Sequence, residues 1–92
     1  MIPEKIIATA NLYTKTLEAL GVSPARISLD IPLRDARKND LLAHALYLAN
    51  NIPNYVKDKR LGKANRHLAA LQMILSFVGL FTIRDLMAHN QS

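Results

Sequence analysis

The chain has 92 residues, no cysteine, no tryptophan and a formal net charge of +5. That length gives a single helical domain, 1–92, with one modest core. The missing cysteines exclude disulfides, thiolate metal sites and thiol nucleophiles, and the excess of Lys and Arg points to an anionic partner, a nucleic acid or an acidic protein.

Half of the residues are hydrophobic, weighted to Leu and Ala, without the period-two runs of strands, so an all-α fold is expected. The first helix is predicted from about Pro3 to Leu20. Pro3 and Glu4 suit a first turn and Gly21 a stop. Ile6, Ala10, Tyr13, Leu17 and Leu20 follow helical spacing and form one apolar stripe. Residues 22–35, broken by Pro24 and Pro32, read as an irregular connection that pins Ile27, Leu29, Ile31 and Leu33 onto the bundle.

The second helix is predicted from about Asp35 to Asn51, with a broad apolar face through Leu41, Ala45, Leu46, Leu48, Ala49 and Ile52. Pro53 should interrupt it, because a residue before proline is pushed out of the helical region. The third helix, about Leu61 to Val78, carries Leu61, Ala64, Leu68, Leu71, Leu75 and Val78 along one seam and Ala70, Ile74, Phe77 and Phe81 along a second. Gln72 falls in the remaining strip of small and polar residues. A helix apolar on most sides is either central or shared, so the expected architecture is three longer helices plus a short one, completed by homodimerisation through Leu68, Leu71, Leu75, Phe77, Val78 and Phe81. Gly79 then stops the third helix, and Thr82 with Asp85 fits a capping box opening a last helix from Ile83 to about His89.

Chemistry is concentrated in a few places. Lys57, Lys59, Arg60, Lys63 and Arg66 lie within ten residues and form a cationic collar, with Lys59, Lys63 and Arg66 on one side of a continuous helix. Such a collar binds phosphates or carboxylates in a salt-dependent way, or it is a solvated face that keeps an apolar protein in solution. Asp40 and Asp85 stand four residues before His44 and His89, which places each carboxylate and imidazole on one helix face. That spacing is half of a metal site or a local ion pair. With only Glu4 and Glu18 as glutamates, the carboxylate-rich pattern of di-metal bundles is absent, and no metal or cofactor is expected.

The run Arg84-Asp85-Leu86-Met87-Ala88-His89 resembles the R-x4-6-H motif of the HEPN family of small α-helical ribonucleases, including the polar residue after the arginine. The resemblance implies a metal-independent ribonuclease in which Arg84 and His89 act on the scissile phosphate and the 2′-hydroxyl. No phosphate loop, paired-carboxylate site or Ser/His/Asp array accompanies it. The leading expectation is therefore a non-catalytic interaction or accessory protein with a basic surface, of the compact kind that phages and mobile elements encode. A purely structural oligomeric scaffold is the remaining alternative. The uncharged stretch Leu68–Ile83 reaches about 24 Å as a helix, short of a bilayer core of about 30 Å, so no membrane span is expected. The N-terminus lacks a charged region followed by a long apolar run, and a cytoplasmic location is expected.

Overall fold

Helix α1, Pro3–Ala19, begins on a proline whose missing N–H costs nothing in a first turn, and it buries Ile6, Thr9, Ala10, Tyr13 and Leu17. The computed structural model of the chain describes residues 1–91. A short 3-10 turn, Leu33–Asp35, precedes α2, Lys38–Lys57; α3, Leu61–Phe77, and α4, Ile83–Asn90, complete the bundle. No strand occurs among the described residues. α2 packs on both α1 and α3, and α4 closes one end against α1.

The core is the sum of the apolar stripes. Ile6, Tyr13 and Leu17 from α1 meet Leu41, Ala45, Leu46, Ala49 and Ile52 from α2 and Ala64, Leu68, Leu71 and Leu75 from α3. Most of these side chains are wholly inaccessible. Burying a Leu or Ile side chain is worth about 1.5–3 kcal/mol each, which offsets the ordering of the chain.

Three helices end in the same way. After α1, the Val22 N–H bonds the Leu17 carbonyl and the Gly21 N–H bonds that of Glu18; after α3, Leu80 bonds Leu75 and Gly79 bonds Ser76; after α2, Arg60 bonds Tyr55 and Lys59 bonds Val56. This paired arrangement needs a left-handed residue at its first position. Gly21 (φ 80°) and Gly79 (φ 85°) supply it without strain, whereas α2 uses Lys59 (φ 60°). In the two glycine turns the following residue, Val22 or Leu80, packs against the core. In the lysine turn that residue is Arg60, whose guanidinium lies 5.8 Å from the Tyr55 ring centre.

Four expectations need correction. α2 starts at Lys38, because Asp35 belongs to the 3-10 turn. It also continues through Pro53 to Lys57. Proline forfeits one backbone hydrogen bond, but continuing the helix buries Ile52 completely and half-buries Tyr55 and Val56. α1 ends at Ala19, and Leu20 lies outside the stripe at 57% exposure. In the connection, Ile27 packs on the core, but Leu29, Ile31 and Leu33 are exposed. The connection is tied down by polar bonds instead: the Ala25 N–H reaches the Ala43 carbonyl and the Ile27 N–H reaches His44 Nδ1.

Candidate functional site

The collar residues do not share one helix, and two of them, Arg60 and Lys63, meet on the Tyr55 ring. Lys57 closes α2, Lys59 sits in the left-handed turn, Arg60 precedes α3, and Lys63 and Arg66 lie in its first two turns. The shared helical side expected for Lys59, Lys63 and Arg66 is replaced by a corner around Tyr55. The Lys63 ammonium lies 4.6 Å from the Tyr55 ring centre, alongside the 5.8 Å contact of Arg60. His67 packs on the same ring at 4.8 Å. Its Nδ1 lies 2.9 Å from the Lys63 carbonyl, which can only accept, so the neutral ring carries its proton on Nδ1 and leaves Nε2 as acceptor. Tyr55 thus holds the corner's geometry through cation–π contacts.

The corner is electrostatically unbalanced. Among the described residues none of its five cations is in an ion pair, and the one ion pair, Arg34–Asp35 at 3.9 Å, is elsewhere. α3 also begins without a side-chain cap or an acidic residue in its first turn. The positive end of its dipole is therefore added to the cations rather than neutralised.

Next to this corner is an apolar groove of about 490 Å³ between α2, α3 and the 3-10 turn. Leu41 and Leu48 from α2 face Ala70, Met73, Ile74 and Phe77 from α3, and Leu33 and Arg34 form a side wall. Met73 is 62% and Phe77 72% exposed. Arg66 and His67 belong to both groove and corner, and His44 lines it from α2. His44 accepts the Ile27 N–H and stacks on Tyr47 at 5.9 Å. Burial, then the nearby positive charge of Arg26 and the neighbouring His67, holds its imidazole below the ordinary histidine value.

The expected subunit interface is divided. Leu68, Leu71 and Leu75 are buried in the protomer's own core, Val78 and Phe81 are half-buried, and Phe77 stands out in solvent. α1 and α2 cover most of the apolar surface of α3 that was expected to need a second copy.

The histidine pairs take other partners. Gln72, expected in the polar strip, is buried between α1 and α4. Its Nε2 donates to the Tyr13 hydroxyl oxygen (3.0 Å) and to Asn90 Oδ1 (2.7 Å), and its Oε1 accepts from Asn90 Nδ2 (3.1 Å). The Tyr13 proton is then left for His89 Nδ1 at 2.8 Å. Phe81 packs edge-on against the same imidazole at 4.8 Å. Arg84 is exposed and lines a depression with Ile83 and Met87, and His89 is not among that depression's lining residues. Asp85 is bonded to Thr82 in the expected capping box rather than to His89. No group of three metal-ligating side chains gathers among the described residues.

Sequence reasoning missed the groove and the Tyr13–Gln72–His89–Asn90 cluster. The groove needs the 3-10 wall, which carries no periodic signal. The cluster joins α1 to α4 across most of the chain, which no local pattern reveals. No helix among the described residues is long and apolar enough to cross a membrane. The chain matches no family model, no curated protein and no solved structure.

Proposed function

We propose that this chain is a non-catalytic interaction protein whose α2–α3 corner engages an anionic macromolecule. The observation that carries this reading is Lys59. The same turn is built three times, twice with glycine and once with lysine. A side chain in the left-handed region costs about 1 kcal/mol relative to glycine. A lysine kept there, between Lys57 and Arg60 and ahead of an uncapped, cation-rich helix start, gives up that energy, and the C-terminal end of the α2 dipole returns only part of it. With Asp58 the one acidic residue in the run from Lys57 to Arg66, the corner keeps a surplus of positive charge, which is the arrangement an external anion stabilises.

The test is a salt-titrated binding assay with RNA, duplex DNA and polyglutamate as probes, comparing the native chain with Lys57→Glu/Lys59→Glu/Arg60→Glu. Arg66 stays native in this variant so that the groove is unchanged. One of the probes should bind with an affinity that falls steeply with salt. The triple reversal should lower the log–log slope by about one for each anionic group that is no longer neutralised. Binding that is equal in both proteins, or no binding of any probe at low salt, refutes the reading.

A further inference from the structure

The groove beside the corner identifies the partner more closely. We propose that it docks a short amphipathic helix of a partner protein, apolar on one face and acidic along its flank. This rests on the reading of the corner as a surface for an anionic partner, and it chooses protein over nucleic acid.

Three observations lead there. The first is shape. The groove follows α3 from Arg66 to Phe77, about 16 Å at the helical rise of about 1.5 Å per residue, which is three turns of a docked helix. Ala70 leaves room along that face, and exposed Met73 and Phe77 stand where side chains at i, i+4 and i+7 of a partner would insert. Methionine adapts its shape to such anchors at little cost.

The second is charge. None of the residues lining the groove is acidic, while Arg66 lines one stretch of it and Arg34 the side wall. Carboxylates flanking an apolar stripe would meet these cations and continue onto Lys63 and Arg60. A nucleic acid would satisfy the cations but leave Met73, Phe77 and Leu33 without apolar partners, and Phe77 is the one aromatic carbocycle among the groove's lining residues.

The third concerns a second copy of this chain. Its seven acidic residues are scattered over α1, the connection, the helix starts and Asp58, with none in α3, so no helix of this chain has an acidic flank to offer. Two copies would also bring together two surfaces of a chain carrying a net charge of +5.

The experiment uses the full chain and two labelled peptides of about 14 residues with leucines at i, i+4, i+7 and i+11. One carries Glu and the other Lys on the flanks. Fluorescence anisotropy should give a roughly micromolar dissociation constant for the Glu peptide and about ten-fold weaker binding of the Lys peptide. Phe77→Glu and Met73→Glu, both at exposed positions, should each weaken the Glu peptide about ten-fold with an unchanged urea midpoint. Arg66→Glu should narrow the preference for the Glu peptide. Equal binding of the two peptides overturns the proposal. So does a dimer in sedimentation that Phe77→Glu dissolves and the peptide fails to displace, or RNA binding abolished in Phe77→Glu without peptide binding. Failure of peptide binding in Phe77→Glu but not in the Lys57/Lys59/Arg60 reversal supports the groove and removes the corner reading. The opposite pattern removes the groove and leaves the corner.

Discussion

Replacing Tyr13 with Phe removes one oxygen atom and two hydrogen bonds from the junction of α1, α3 and α4. The side chain is fully inaccessible, and its hydroxyl accepts from Gln72 Nε2 at 3.0 Å and donates to His89 Nδ1 at 2.8 Å. An intramolecular hydrogen bond is worth about 0.5–1.5 kcal/mol net, and leaving a buried partner unsatisfied costs about 1–3 kcal/mol. Gln72 is 7% exposed and would be deprived of the acceptor for one N–H, while half-buried His89 can be rewetted. The expected cost is therefore about 1.5–2 kcal/mol, most of it on the Gln72 side. For a domain of this size that is a fall in Tm of roughly 6–15 °C.

Urea and thermal unfolding followed by far-UV circular dichroism measure it. The slope with denaturant should stay constant, since the exposed surface is unchanged. A second signature lies at high pH. Burial pushes the Tyr13 hydroxyl above its ordinary value, with the Gln72 hydrogen bond pulling partly back. The neutral form is favoured in the fold, so this contribution is fully present below the unfolded value near pH 10 and is lost as pH rises beyond it. Tyr13→Phe should abolish that alkaline decline. A variant as stable as the native chain, with an identical alkaline profile, would refute the assigned network.

Other consequences are simpler to state. Thr82→Ala removes the acceptor for the Asp85 N–H and should cost about 1 kcal/mol in urea unfolding. Bonds from the Thr82 N–H and hydroxyl hold the Asp85 carboxyl below the usual carboxylate range, so its contribution is present above the unfolded value and lost as pH falls; titration by NMR should show the lowered midpoint move back toward that range in Thr82→Ala. Lys59→Gly should raise stability by about 0.5–1 kcal/mol by relieving the left-handed strain, while weakening anion binding. His44 is held below its ordinary value, so the stability it contributes is present above the unfolded value near 6.5 and declines as pH falls below it. Protonation at Nδ1 would also break its bond to the Ile27 N–H. His44→Gln should flatten the urea midpoint between about pH 7 and 5, and an unchanged slope would contradict the assigned bond.

The helices were legible because their signals are local. Gly21, Gly79 and the Thr82–Asp85 pair mark ends by backbone geometry, and Ile6, Ala10, Tyr13 and Leu17 mark a face by period. Pro53 misled for a reason of scale: its backbone penalty is local, whereas the burial of Ile52 that outweighs it depends on the whole bundle. The same holds for Gln72, which looks like a surface residue until α4 brings Asn90 to meet its amide. The collar was visible as composition. Its arrangement around Tyr55 was not, because a left-handed lysine gives no sequence signal.

The small helix α4 gives the molecule an uneven order of unfolding. α1, α2 and α3 pack chiefly on their neighbours in sequence, so that part of the chain forms through short-range closure. α4 adds a single buried apolar side chain, Leu86, together with the polar cluster at His89 and Asn90. With so little apolar area at stake, its eight residues form the unit that opens first. Amide protons of residues 86–90 should therefore exchange through a partial opening with a lower free energy than those of Leu46 or Leu71, leaving the α2–α3 corner and its groove intact while the C-terminal end swings free.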